Sequence, residues 1–139
     1  SKGSEFAILT DEISQAWSGM TTRQYKNHKG LTKENLRDNM STLELVLNML
    51  AEATTTELSK AEEPEAFDES KEIARRGGSV AGNARKEIEA QTGKPVVTSK
   101  NARDFRMLLG DVIEAAAAEV DGEAVDSGGL HAASSEKLG

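Results

Sequence analysis

Seven cations carry the chemistry that this sequence offers most plainly. Arg75, Arg76, Arg85 and Lys86 fall within one run from Ile73 to Val97, and Arg23, Lys26 and Lys29 cluster earlier beside His28. Guanidinium and ammonium groups at such spacing suit phosphates or an acidic protein surface. For Arg23, Lys26 and Lys29 a solvated helix face is the plainer reading. His28 stands among cations without a second histidine nearby, so a metal role is not expected. His131 lies far along the chain, and there is no cysteine. That leaves no Ser–His–Asp arrangement, no thiol nucleophile and no zinc thiolate site. Carboxylates are plentiful, but they occur on charged helical stretches without an apolar setting to shift a pKa. Gly77-Gly78 with Gly82 is not a phosphate loop, because no strand precedes it and no Gly-Lys-Ser/Thr follows. The residues point away from an enzyme, and no cofactor or metal is expected.

The same glycines have a positional meaning. At helical spacing Ala74, Gly78, Ala81 and either Ala84 or Arg85 share one stripe, with Gly77 and Gly82 beside it. A glycine inside a helix costs roughly 1 kcal/mol against alanine. Small residues every three or four positions let a second helix approach closely, which offsets that cost. Ala74, Gly77, Gly78, Ala81 and Gly82 therefore read as a helix crossing.

Composition bounds the rest. The 139 residues suffice for one domain with a modest core, and 37% hydrophobic with 4% aromatic content suits paired helices. With 24 carboxylates against 17 Lys plus Arg, the net charge is −7, so nucleic-acid contact needs a local basic patch. No apolar run approaches a membrane span, no signal peptide is expected, and the absence of cysteine fits a reducing cytoplasm. Gly3-Ser-Glu-Phe6 reads like a cloning remnant, which sets residues 1–6 apart. Residues 7–125 read as a helical domain, and the small, polar residues 126–139 as a flexible tail.

The elements that must position these residues are helices. Thr10 suits the N-cap of a first helix from Asp11 to Trp17, ended by Gly19. Thr21-Thr-Arg-Gln24 and Ser41-Thr-Leu-Glu44 have capping-box spacing, and Gly30 suits the end of the first of the two helices they open. Trp17, Met20, Tyr25 and Leu31 are expected to form a satellite cluster. One or two helical turns fall between Thr32 and Asn39. Leu43, Val46, Leu47 and Leu50, with Leu45, Met49 and Ala53 beside them, give an arc wide enough for burial on more than one side. Thr54-Thr-Thr56 marks a bend or a stop. Pro64 marks a boundary and can occupy the next first turn. Ala66 to Gln91 reads as one long helix, or as two segments joined at Gly77-Gly78, with Gly93 as its cap. Phe105, Leu108, Leu109, Val112, Ile113 and Ala116 form a last 3.6-residue stripe with acidic flanks. Those flanks are either a solvated face or packed against the basic part of the long helix. The expected fold is all-α, a multi-helix bundle, partly extended, with one long Gly-interrupted helix.

Several runs resemble a family. Gly30-Leu-Thr-Lys-Glu-Asn-Leu-Arg-Asp-Asn-Met40, Leu43-Glu-Leu45 with Leu50-Ala-Glu-Ala-Thr-Thr-Thr56, Ala74-Arg-Arg-Gly-Gly78 with Gly82-Asn-Ala-Arg-Lys-Glu87, and Thr92-Gly-Lys-Pro-Val-Val97 resemble the C-terminal region of the DNA-damage-inducible protein D and BRO-type phage antirepressor family. The resemblance covers roughly residues 9–100. The BRO-type N-terminal domain usually credited with DNA binding is not in this sequence, so no DNA-binding or catalytic residue carries over. The resemblance implies a role in the bacterial DNA-damage (SOS) response or a prophage switch, with a repressor or a RecA-type recombinase as partner. The expected activity is protein–protein interaction or homo-oligomerisation through the apolar arc and the glycine stripe. The alternative is nucleic-acid binding through Arg23, Lys26, Lys29, Arg75, Arg76, Arg85 and Lys86.

Overall fold

The computed structural model describes residues 2–122, and all regular structure among them is helical. The helices are α1 (Lys2–Ser18), α2 (Thr22–His28), α3 (Thr42–Glu62), α4 (Phe67–Thr92) and α5 (Ala102–Gly122), with a short 3-10 turn at Arg37–Asn39. The chain divides into two compact units, Ser1–Ala102 and Arg103–Gly139. Residues 123–139, which include the expected tail and His131, lie outside the described residues.

Local chemistry sets most helix ends of the first unit. Thr21 and Ser41 each close a full capping box, with Gln24 and Glu44 reaching back to the cap N–H. Gly93 adopts a left-handed conformation (φ 72°) and its N–H returns to the Glu89 carbonyl, ending α4. At the end of α3 the left-handed cap is Glu63 (φ 47°), a strained choice for a residue with a Cβ, where the following proline blocks continuation.

Three expectations change, and one open alternative is resolved. α1 begins at Lys2, nine residues early, so Thr10 is internal and its hydroxyl donates to the Phe6 carbonyl 2.9 Å away. α3 runs through Thr54-Thr-Thr56, where Thr55 and Thr56 hydroxyls bond back to the Ala51 and Glu52 carbonyls. Pro64 falls in the connection, and Ala66 is the cap of α4. α4 is continuous through Gly77-Gly78.

In the first unit α1 and α3 both lie along α4, and α1 meets α3 less extensively. The core comprises Trp17, Tyr25, Leu47, Ala51, Ala81 and Val96, so the aromatic pair expected in a satellite cluster occupies the centre. The arc on α3 is buried on one side only. Leu47 and Ala51 face the core, whereas Leu43, Val46, Met49 and Leu50 are exposed.

The glycine stripe explains how α4 reaches both neighbours. A Cβ on Gly77 would sit 2.0 Å from Thr55 Oγ1 and 2.7 Å from the α3 backbone. One on Gly78 would meet Ala16 Cβ at 2.6 Å and the Ile13 carbonyl at 2.8 Å, and one on Gly82 the Ala16 carbonyl at 2.5 Å. Adjacent glycines therefore serve different partners, Gly77 admitting α3 and Gly78 with Gly82 admitting α1. Ala74 and Ala81 are buried beside them. The stripe is satisfied within the chain.

Candidate interaction surfaces

Ionisable side chains gather in a buried cluster at the start of α3. Lys29 Nζ donates to Glu44 Oε1 at 2.9 Å, and both side chains are fully buried. The same oxygen accepts the Ser41 N–H at 2.9 Å, and Oε2 accepts from the Tyr25 hydroxyl and from the Thr98 N–H at 3.4 Å. Lys29 Nζ also donates to the Lys100 carbonyl. Burial, and then the Glu44 carboxylate, push the Tyr25 hydroxyl far above its usual pKa, so it remains a neutral donor.

This cluster organises the segment after α4. Residues 93–101 form no ladder, so their backbone groups need side-chain partners. Glu89 accepts the Val96 N–H at 3.0 Å, Glu44 accepts that of Thr98, and Asn39 Oδ1 accepts that of Ala102 at 2.9 Å. Asn101 Nδ2 donates to the Lys29 carbonyl at 3.1 Å. A Lys–Glu–Tyr set can move protons where a substrate reaches it, but here every charged atom is sealed, and its work is architectural.

Placement divides the seven cations. Lys29 is in the core, which corrects its reading as a surface contact: the Glu44 carboxylate and the Lys100 carbonyl consume its charge. Arg85 is mostly covered, donating to the Trp17 carbonyl at 2.7 Å and to Glu89 at 2.8 Å. It thereby satisfies a carbonyl left open at the end of α1. Arg75 pairs with Glu72 and Arg76 with Glu62 on the surface. Those guanidiniums hold both carboxyls below their ordinary range. Arg23 and Lys86 are exposed and Lys26 is half-buried.

Arg23 and Lys26 line a cleft of about 900 Å³ with Phe6 and Leu31. Lys26 is shared with a neighbouring cleft of about 470 Å³, which Lys33, Arg37, Asn48 and Glu52 also line. Arg37 there is neutralised by Glu52. No group of three or more His, Asp or Glu able to hold a metal occurs among the described residues. No helix among them is long and apolar enough to cross a membrane.

α5 presents the other surface. Its stripe of Leu108, Leu109, Val112 and Ile113 is 45, 59, 64 and 58% exposed, and Val120 continues it. Periodicity makes this stripe legible in sequence. The buried role of Lys29 was not legible, because Lys26, His28 and Lys29 read as one hydrophilic face.

Comparison with family models, curated proteins and solved structures gives no match.

Proposed function

We infer that this chain is a non-enzymatic helical interaction module of a DNA-damage-inducible or antirepressor-like protein, acting by binding a protein partner or itself. The family is proposed from the resemblance of the runs between Gly30 and Val97. The observation that carries the interaction reading is the α5 stripe, four consecutive large aliphatics of one helix face left about half exposed or more. Burying each such side chain is worth about 1.5–3 kcal/mol, which a partner surface would supply. A repressor or a RecA-type recombinase is the partner class that the resemblance implies, in a cytoplasmic setting.

The alternative, nucleic-acid binding, is favoured by the pairing of Arg23 and Lys26 on one cleft. The net charge of −7 and the neutralisation of Arg75 and Arg76 weigh against it. Sedimentation with a purified RecA-type recombinase, a phage repressor, or a short DNA separates the readings. A protein complex lost on Val112→Glu supports the interaction module. A DNA complex that dissolves between low and moderate salt, survives Val112→Glu and is lost on Arg23→Ala with Lys26→Ala replaces it.

A further inference from the structure

The charges of α5 run against its own dipole. Its first half carries Arg103, Asp104 and Arg106, net +1, and residues 111–120 carry Asp111, Glu114 and Glu119, net −3. No basic residue occupies the last turn. A helix has a partial positive charge at its N-terminus and a negative one at its C-terminus, so a lone helix is stabilised by the reverse order. Asp104 alone follows that rule. An antiparallel neighbour of the same sequence reverses the account. It lays a +1 half and a positive helix end beside a −3 half and a negative end, twice by symmetry. A parallel neighbour would set −3 against −3.

The apolar stripe is continuous across both halves, so it can face itself in that orientation. Leu108, Leu109, Val112, Ile113 and Val120 together expose on the order of 500 Å², so a symmetric pair buries on the order of 1,000 Å², the lower bound for a specific interface. We propose that α5 pairs antiparallel with α5 of a second copy of this chain, through Leu108, Leu109, Val112 and Ile113, as a weak isologous dimer. The proposal rests on the interaction reading of α5.

The test uses the whole chain. Sedimentation equilibrium should show a reversible dimer whose dissociation constant rises at least tenfold in Val112→Glu and in Leu109→Glu, with helix content retained by circular dichroism. Because the chain lacks cysteine, orientation is read by disulfide trapping. A Leu108→Cys copy mixed with an Ala116→Cys copy should cross-link to each other faster than either to itself, and Val120→Cys alone should not cross-link. A monomer up to millimolar concentration, a dimer unaffected by both glutamates, or ready self-linking of Val120→Cys overturns the proposal. If self-association is absent but Val112→Glu still abolishes binding to recombinase or repressor, self-pairing falls while the interaction reading stands. If both are absent, both fall.

Discussion

Lys29 and Glu44 hold each other in place where water cannot reach, so removing one strands the other. Breaking a buried pair by deleting one partner costs about 3–5 kcal/mol. Lys29→Met should therefore lower the urea unfolding free energy by about 3 kcal/mol, and Glu44→Gln by a similar amount. The double variant should cost clearly less than the sum, because the pair is one network with Tyr25. Additive losses would show that the two side chains act independently. Glu34 behaves differently, as an exposed carboxylate accepting from the backbone N–H of Thr32, from its own backbone, from Lys33 and from the Thr32 hydroxyl. These donors pull its pKa from 4.5 down to about 2. A depressed folded-state pKa gives stability that is present above 4.5 and lost as pH falls toward 2. Urea midpoints should fall through that window, and Glu34→Gln should flatten part of the fall.

At the scale of elements, the packed glycines of α4 invert the usual expectation from propensity, whereas Gly110 in α5 follows it. Alanine in place of a helical glycine gains up to about 1 kcal/mol where nothing intervenes. Nothing lies within 4 Å of a Cβ at Gly110, so Gly110→Ala should raise the helicity of α5 by circular dichroism. At Gly78 the new methyl meets Ala16 Cβ and the Ile13 carbonyl, and Gly78→Ala should destabilise the first unit by about 1–3 kcal/mol in thermal melts. The helices themselves were legible from capping boxes, glycine stops and 3.6-residue stripes. Which helix each glycine admits was not, because Gly77 and Gly78 are neighbours in sequence and face different partners. The true start of α1 was also hidden, since Thr10 has the chemistry of a cap while its hydroxyl satisfies a carbonyl within the helix. The candidate surface on α5 could be read from periodicity. The withdrawal of Lys29 and Arg85 from the basic set could not, because each also donates to a distant backbone carbonyl, that of Lys100 and that of Trp17, 71 and 68 residues away.

For the whole molecule, the charge balance sets what association can look like. With net −7 and Arg37, Arg75 and Arg76 already paired on the surface, the chain should show no DNA binding by sedimentation at physiological ionic strength. Any complex seen in dilute buffer should vanish on adding salt. DNA binding that persists in salt would overturn this expectation, because phosphate contacts by Arg23, Lys26 and Lys86 weaken steeply as salt rises. Trp17, finally, gives the molecule its own optical probe. It is the single tryptophan, fully buried, with its indole N–H on Asn48 at 3.1 Å and the single tyrosine ring 6.0 Å away. Its fluorescence should be blue-shifted, fed by energy transfer from Tyr25, and should move red only when the first unit opens. Emission thus follows unfolding without an added dye, while sedimentation follows association.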